Sequence, residues 1–437
     1  GGGGGLIGAA IAAFTSSGTA QTGVLPIIFT ANPETFKYLP PTIEFSSDLV
    51  GMAVTTDFKK IYAIDRAHNA VSVVDLERRT VVKVLDLGAE PQIITISPTS
   101  QRAIVTAKEA RIFVIDTSSD TVIEVDQSLA PTREPYAAAI LPSDTKAYVG
   151  ERQGDGLTIV DLGASPPAVL GRIPGCNASR GMAIKEEPTM RIYVACQGDD
   201  KLVEIDPQAD TILRELTVDA NPTGLDLTPD QDLLFVASGG AFGTNGSVPI
   251  VNTNTFTEVA NINNVVAGPQ QVLVSSNGKR AFVSSIQSPS EMCEAGRSSG
   301  ISVLDVEARV SLYQTPAEEL DSVGGLAATG DGARVFGFSL CTNALYRVSE
   351  VDAMFNLDTQ TFGGVSRSSG ISLNETGSEL YLLHPHALAV VNPETLDVIE
   401  TISGRGAGPM RLALSQDDST LFASLSGRNE VVAVSTT

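Results

Sequence analysis

The sequence predicts an all-β fold in which one four-stranded unit is repeated around a single closed ring. The stretch from Arg191 to Pro229 holds three short strands with a period of two, then an Asn-Pro turn and the strand that starts the next copy. Versions of this unit of about 45 residues recur along almost the whole chain, without helical periodicity. Only 18% of the residues are charged and 40 are Gly, which fits a β-rich globular protein. These observations predict a β-propeller, whose blades are four-stranded antiparallel sheets arranged radially.

The strands of each unit are named a to d, from the innermost to the outermost. Strand a can be recognised nine times, so we predict nine blades, with eight as the fallback because the seventh unit has no Asp at the end of strand c. The inner strands are recognised at Gly51, Ile93, Ala137, Gly181, Gly224, Val272, Gly325, Gly370 and Arg411. Strand c ends in an acid at Asp75, Asp116, Asp161 and Asp206, which are 41, 45 and 45 residues apart. We expect the carboxylate of each Asp to cap the c–d turn by accepting hydrogen bonds from backbone N–H groups.

The last unit ends after its third strand, so another segment must close the ring. We predict that Gly23–Thr30 supplies this fourth strand, with Ile27 and Ile28 antiparallel to Glu430–Val434. Closure of this kind would hide a sheet edge that could otherwise pair with another chain. Residues 1–22 are predicted to be a flexible Gly-rich tether, and residues 23–437 to be the propeller domain.

The repeat resembles the YVTN-type repeat of bacterial and archaeal surface and secreted propellers. The matching elements are the turn Gly88-Ala89-Glu90-Pro91, the strand start Tyr193-Val194 and the Val-x-x-Asp pattern of strand c, and they cover residues 50–437. The resemblance implies the propeller fold and an extracytoplasmic location: periplasm, outer-membrane surface or secreted. It implies no single function, because that family includes surface-layer proteins, lactonase-like enzymes and cofactor-bearing reductase domains.

Charge and composition exclude several function classes. The net charge is −22, so the surface field repels nucleic acid phosphates and anionic membranes. No apolar run reaches the roughly 18 residues of a transmembrane helix. We therefore expect no nucleic-acid partner. Membrane contact is expected only through an N-terminal lipid anchor, since the Gly-rich start resembles a lipoprotein tether, although the lipidated Cys is absent.

The sequence offers little for catalysis or metal binding. Its three histidines are His68, His384 and His386, too few for the copper or haem sites found in related propellers. No haem-attachment or nucleophile motif occurs, so we expect no cofactor, no metal site and no catalytic residues. Asp226 is the one acid found in an inner strand. Two placements are open for it, facing the central channel or holding a core hydrogen bond.

The connections d–a and b–c share one end of the ring, here called the loop face, and the a–b and c–d turns share the other, the turn face. Arginines close to the inner strands on the loop face are predicted to form a positive pocket at the channel mouth, with Glu134 placed to neutralise it. The predicted binding residues are Arg133, Tyr136, Arg180, Gln270, Arg367 and Arg411. Guanidinium groups bind carboxylates and phosphates through paired hydrogen bonds, so this pocket suits an acidic loop of a partner or a small carboxylate.

The sequence therefore favours a non-catalytic module that binds a protein partner, or acts as a scaffold, through its loop face in an extracytoplasmic assembly. The alternatives are a lactonase- or lyase-type enzyme with its site at the channel mouth, and a self-associating subunit of a surface array or filament. The four cysteines are predicted to pair as Cys176–Cys196 and Cys293–Cys341, although three pairings exist. Disulfides of this kind fit an oxidising compartment.

Overall fold

The structure is a computed structural model and describes the greater part of the chain. The described residues are 12–16, 19–23, 37–44, 49–55, 59–65, 68–75, 80–128, 134–240, 245–285, 300–316, 323–339, 344–351, 354–361, 370–373, 378, 380–384, 387–403, 409–414, 420–425 and 430–435. Within them the strands form nine four-stranded antiparallel sheets and one two-stranded sheet.

The strands before the first blade are β1 (Ala12–Ser16), β2 (Thr19–Gly23) and β3 (Lys37–Glu44). Blades 1 to 3 consist of β4 (Leu49–Val54), β5 (Lys60–Asp65), β6 (Ala70–Asp75), β7 (Thr80–Asp86); β8 (Pro91–Ile96), β9 (Arg102–Ala107), β10 (Arg111–Asp116), β11 (Thr121–Glu124); and β12 (Pro135–Ile140), β13 (Lys146–Glu151), β14 (Asp155–Asp161), β15 (Ala168–Asn177).

Blades 4 to 6 consist of β16 (Ser179–Lys185), β17 (Arg191–Cys196), β18 (Lys201–Asp206), β19 (Thr211–Thr217); β20 (Pro222–Leu227), β21 (Leu233–Ser238), β22 (Asn245–Asn252), β23 (Thr257–Ala267); and β24 (Pro269–Val274), β25 (Arg280–Ser285), β26 (Ile301–Asp305), β27 (Val310–Gln314).

Blades 7 to 9 consist of β28 (Val323–Ala328), β29 (Arg334–Ser339), β30 (Ala344–Val351), β31 (Met354–Thr361); β32 (Gly370–Leu373), β33 (Leu380–His384), β34 (Ala387–Val391), β35 (Val398–Ser403); and β36 (Pro409–Leu414), β37 (Thr420–Leu425), β38 (Glu430–Ser435) with β3 as the fourth strand.

Each blade follows the predicted order, with strands a to d hydrogen-bonded in sequence from the channel outwards. The innermost strand of the last blade, β36, packs against β4 of the first, which closes the ring. The predicted count of nine is therefore confirmed for the described residues. The seventh unit, which lacks the Asp anchor, also forms a complete four-stranded sheet.

An N-terminal strand closes the ninth blade, but it is not the predicted one. Strand β3 pairs antiparallel with β38, from Lys37 opposite Ser435 to Glu44 opposite Glu430. Of the predicted segment, Gly23 ends β2 and residues 24–30 lie outside the described residues.

The two prolines of β3 explain why the sequence hides this strand. Pro40 and Pro41 are typical of a connection rather than a strand, because Pro cannot donate to a ladder. The outermost strand of a blade is bonded on one side only, and the pairing register shifts between Leu39 and Ile43. The prolines lie within this shift and interrupt the ladder there.

Apolar side chains packed between neighbouring blades form the core. The third residue of strand b is a fully buried aromatic in six of the described blades: Tyr62, Tyr148, Tyr193, Phe235, Phe282 and Phe336. Burying each of these rings stabilises the fold by about 1.5–3 kcal/mol. The alternation that places them there also directs the neighbouring residues of strand b toward the opposite face of the blade.

On the turn face, polar groups fix both the turns and the contacts between blades. Asp161 caps its c–d turn as predicted, because its Oδ1 accepts the backbone N–H groups of Gly163 at 2.8 Å and Ala164 at 3.1 Å. Between blades 3 and 4, Lys146 Nζ lies 2.7 Å from Asp210 Oδ2, and the Tyr148 hydroxyl donates to Asp210 Oδ1 at 2.5 Å. The same arrangement joins blades 1 and 2 through Lys60, Tyr62 and Asp120.

Strands β1 and β2 form an antiparallel hairpin within the predicted tether. Strand β1 lies against the inner strands β12, β16 and β20, and β2 lies against β4 and β8. The division of the chain at residue 22 remains a prediction. Among the described residues, none forms a helix long and apolar enough to span a bilayer.

Candidate functional site

The channel mouth on the loop face is built from β-bulges at the starts of the inner strands. In β12, Pro135 pairs with Glu151 and the next pair is Ala138 with Val149, so two residues oppose one. The register shifts at the same place in β16, β20 and β24. The second residue of each strand lies in the bulge, and these residues are Tyr136, Arg180, Thr223 and Gln270. Bulges re-aim side chains, and here Tyr136 and Thr223 are buried while Arg180 and Gln270 are half-buried.

Adjacent inner strands approach closely here, and this requires glycine. A Cβ atom on Gly181 would lie 2.3 Å from the carbonyl oxygen of Thr223, and one on Gly224 would lie 2.6 Å from that of Gln270. No side chain could be accommodated at these distances without displacing backbone. The Gly at the start of many inner strands in the sequence is therefore explained by the close approach of neighbouring blades.

Two arginines converge on one tyrosine ring at the boundary between blades 3 and 4. Tyr136 is fully buried, and the guanidinium carbons of Arg152 and Arg180 lie 5.9 and 5.6 Å from its ring centroid. Both distances are within cation–π range. Arg180 Nε also donates a hydrogen bond of 2.7 Å to Gln197 Oε1. These four residues, Tyr136, Arg152, Arg180 and Gln197, are called the arginine site.

Buried contacts across the blade boundary hold the two arginines side by side. The backbone N–H of Glu151 donates to Ser179 Oγ at 2.8 Å, and that hydroxyl donates to the Glu151 carbonyl at 3.3 Å. Glu151 and Ser179 are fully buried and directly precede Arg152 and Arg180. This reciprocal pair therefore fixes the distance between the backbones that carry the two guanidinium groups.

A disulfide reinforces the same boundary. Cys176 of β15 and Cys196 of β17 are bonded, with an S–S distance of 2.00 Å, and both are fully buried. The predicted Cys176–Cys196 pair is thus confirmed. It joins blades 3 and 4, because β15 extends far enough to carry Cys176 within its own ladder. Cys293 and Cys341 lie outside the described residues.

The positive charge of the arginine site is not neutralised by any described residue. Neither Arg152 nor Arg180 forms an ion pair within the described ranges, and the exposed carboxylate of Glu134, predicted as the neutralising group, forms none either. The buried carboxylate of Glu151 is turned away and pairs with Arg172.

Blade 2 shows the neutralised alternative at the equivalent positions. There, Lys108 follows strand b and Glu90 precedes strand a, as Arg152 and Glu134 do in blade 3. Lys108 Nζ lies 2.7 Å from Glu90 Oε2. The backbone frame is the same in both blades, since the N–H of the cation donates to the carbonyl of the acid at 2.9 Å in blade 2 and 3.0 Å in blade 3. Only in blade 3 does the cation lie over an aromatic ring.

The surroundings perturb Arg180. Burial lowers the pKa of its guanidinium, and the positive charge of Arg152 lowers this pKa further, while Tyr136 acts in the opposite direction. The group nevertheless stays charged, because guanidinium pKa values start far above neutrality. Because the guanidinium group of Arg152 is also without an ion-pair partner among the described residues, an anionic ligand would reduce the repulsion between the two arginines as well as form hydrogen bonds.

The structure brings together only some of the predicted binding residues. Tyr136 and Arg180 lie in the arginine site. Gln270 occupies the equivalent bulge two blades further on, half-buried, where its carbonyl oxygen accepts a hydrogen bond from the Thr223 hydroxyl at 3.3 Å. Arg133 and Arg367 lie outside the described residues. The backbone of Arg411 pairs with Ser424, which aligns it with Gln271 rather than with the bulge residue of β24.

Arg152 is the member of the site that lies outside the predicted set. Arg152 directly follows strand b, whereas the predicted residues lie next to strand a. The order of the strands therefore did not indicate that Arg152 lies close to an inner strand. The available signal was the position it shares with Lys108, since a cation recurs directly after strand b in both blades. Only the bulge in β12, which places Tyr136 beneath it, completes the site.

Of the two placements that the sequence left open for Asp226, the structure shows the hydrogen-bonded one. It is half-buried on inner strand β20, and its Oδ1 and Oδ2 accept the backbone N–H groups of Leu227 at 2.9 Å and Val274 at 2.8 Å. Val274 belongs to the next blade, so the carboxylate bridges two inner strands. Burial raises the pKa of Asp226 to about 7, although both hydrogen bonds oppose this shift.

Within the described residues, no group of three or more His, Cys, Asp or Glu side chains is arranged to hold a metal ion. His68 is described, whereas only the backbone of His384 is, and His386 lies outside.

Comparison with known proteins identifies the fold. No family model matches the chain, and no curated protein matches it. Among solved structures, the Dos1 propeller covers 93% of this chain and 95% of its own, with a TM-score of 0.58 and 12% identity. The fold is a β-propeller. Dihydro-heme d1 dehydrogenase NirN in complex with DHE is also similar, over 85% of this chain and 78% of its own, with a TM-score of 0.57 and 13% identity. At these identities the similarity concerns the fold alone.

Proposed function

We propose that this protein is an extracytoplasmic β-propeller of the YVTN-repeat type that binds a protein partner through its loop face, without catalysing a reaction. The observation that carries the proposal is the arginine site, where two guanidinium groups share one buried tyrosine ring and have no ion-pair partner among the described residues. Arg and Tyr are the residue types that dominate the energetics of protein interfaces. The Cys176–Cys196 disulfide supports the location, because such bonds persist in oxidising compartments.

Rigidity favours a docking role for this surface. The arginine site rests on strands and on a boundary tied by a disulfide and by the Ser179–Glu151 hydrogen bonds. A preorganised site loses little conformational entropy on binding, so more of its interaction energy contributes to affinity. The division into an N-terminal tether, residues 1–22, and a propeller, and a lipid anchor on that tether, belong to the same proposal.

The test is quantitative capture from the native extracytoplasmic fraction with matched baits. The wild type, Arg180→Gln, Arg152→Gln and a control, Arg309→Gln, are compared by mass spectrometry. Arg309 is exposed on the c–d turn of blade 6, so the control removes the same charge from the opposite face. A partner retained by the wild type and the control but lost with both site variants supports the proposal. Retention of every captured protein by all four baits contradicts it.

A lactonase- or lyase-type enzyme is the second candidate, and Asp226 is the observation in its favour. A carboxyl group with a pKa near 7 on an inner strand could serve as a general acid or base. Both of its oxygens, however, accept backbone hydrogen bonds, and no described Arg or His side chain bonds to it. The docking function is therefore the better supported of the two.

Self-association into a surface array is the third candidate. Outermost strands carry exposed apolar side chains, among them Val84 at 60% and Met354 at 66% exposure. Sedimentation analysis of the purified protein separates this candidate from the others, because an array subunit must assemble without a partner.

A further inference from the structure

We propose that the arginine site is a subsite for one carboxylate group, carried on an uncharged or basic segment of the partner protein. This inference rests on the proposed docking function and specifies the chemistry that the site recognises. The ligand group is an Asp or Glu side chain rather than a phosphate or a run of acids.

The site offers guanidinium N–H groups as hydrogen-bond donors to an anion. The Nε–H of Arg180 donates a hydrogen bond to Gln197, which orients the Arg180 side chain. Both Arg180 and Arg152 lie over the ring of Tyr136. No described residue accepts a hydrogen bond from the Arg152 guanidinium, so its donors are available to a ligand. Charge-assisted hydrogen bonds from guanidinium to carboxylate are among the strongest polar contacts in proteins.

The acids around the site determine how much negative charge a ligand can bring. Four exposed acids lie on the segments next to those that carry the site, and they are called the rim: Glu134 directly precedes β12, Asp155 begins β14, and Asp199 and Asp200 closely follow Gln197. Three of them hold the loops through one carboxylate oxygen, accepting the backbone N–H groups of Gly175, Asn177 and Asn221 at 3.0, 2.9 and 2.8 Å. They are thus fixed parts of the rim.

The two positive charges of the arginine site therefore lie on segments adjacent to four carboxylates, one of which, Asp199, is also 3.9 Å from Lys201 Nζ. A single carboxylate gains the attraction of the arginines, whereas a phosphate dianion or a polyacidic segment also meets the repulsion of the rim. Exposed charges interact over a Debye length of about 8 Å at physiological salt, so rim and ligand influence one another. Basic residues next to the ligand carboxylate would instead pair with the rim acids.

Four capped pentapeptides test the proposal, each with glycine at both ends. Their central residues are Lys-Asp-Lys, Lys-Asn-Lys, Glu-Asp-Glu and Lys-phosphoserine-Lys. Each peptide is titrated into the full-length protein labelled with ¹⁵N-arginine, and the Nε–H resonances of Arg152 and Arg180 are followed by NMR at physiological salt. Arg152→Gln, Arg180→Gln and Arg180→Lys are the site variants, and Arg309→Gln is the control. Melting temperatures establish that each variant is folded.

The Lys-Asp-Lys peptide should bind about tenfold more tightly than Lys-Asn-Lys, and more tightly than the Glu-Asp-Glu and phosphoserine peptides. Arg180→Gln and Arg152→Gln should each lower its affinity about tenfold, Arg180→Lys should lower it less, and Arg309→Gln should leave it unchanged. Equal binding of the Asp and Asn peptides overturns the proposal, as does tighter binding of the phosphoserine or Glu-Asp-Glu peptide.

Failure of this inference can be told apart from failure of the docking function. If no peptide binds but a captured partner is lost with Arg180→Gln, the loop face docks a partner and the assigned ligand chemistry is wrong. If neither result is obtained, both proposals are wrong. Should Arg180→Gln fail to fold, Arg152→Gln provides the same comparison from a residue outside the strands.

Discussion

Removing the Cys176–Cys196 disulfide should weaken both the stability of the propeller and the arginine site. The bond closes a segment with a sequence separation of 20 residues, which in the loop-entropy account stabilises the folded protein by about 3 kcal/mol. That segment includes Ser179 and Arg180, so the loss of stability should appear first as local opening at the boundary between blades 3 and 4. Alanine is the appropriate replacement at both cysteines, because serine would bury two hydroxyl groups.

The assay combines denaturant unfolding with hydrogen exchange of the double alanine variant. The free energy of unfolding should fall by about 3 kcal/mol, and amides in residues 177–185 should exchange faster than those of blade 6. A reducing agent should shift the wild type toward the variant and leave the variant itself less affected. A change below about 0.5 kcal/mol, with unaltered exchange in residues 177–185, would refute the view that this bond organises the site.

Three further predictions follow from the fold. Deleting residues 1–44 removes strand β3 and should lower the melting temperature and promote aggregation. Deleting residues 1–34 keeps β3 and should lower the melting temperature less. Equal melting curves for the two deletions would contradict closure by β3. Asp226 has a folded pKa of about 7, above its unfolded value, so its contribution to stability should be greatest below about pH 4 and decline toward pH 7. The difference in unfolding free energy between wild type and Asp226→Asn, measured from pH 4 to 8, should show this decline. A difference that does not change with pH would argue against it. Ala178 has a φ of 51°, so Ala178→Gly should stabilise the protein by about 1 kcal/mol in denaturant unfolding, and a loss of stability would show that its methyl group packs favourably.

The repeat could be predicted from sequence because each blade solves the same packing problem. The buried aromatic of strand b and the Asp that ends strand c recur at fixed positions, as in Tyr148 and Asp161, and alternation then defines the strands between them. The closing strand could not be found in this way. Pro40 and Pro41 obscure its pattern, and an apolar run at Gly23–Thr30 resembles a strand more closely.

The candidate site was only half visible in the sequence for a different reason. Arg180 and Tyr136 lie at the starts of inner strands in the chain order, so their position on adjacent inner strands could be predicted. The β-bulges that turn them toward one another change the register by one residue, and no sequence alternation reports such a shift. Arg152 joins them across the bulge, which only the three-dimensional structure reveals.

The central claim is that the partner docks at the arginine site, and site-specific photo-crosslinking tests it most directly. A benzophenone amino acid replaces Gln153, which is exposed and adjacent to Arg152, and in a second protein it replaces Lys279, which is exposed on the turn face. After irradiation in the native extracytoplasmic fraction, the adducts are identified by mass spectrometry. We predict one partner adduct at position 153 that disappears when Arg152 and Arg180 are both changed to Gln, and none at position 279. An adduct of the same protein at position 279, or one at position 153 that survives the double change, would contradict the account.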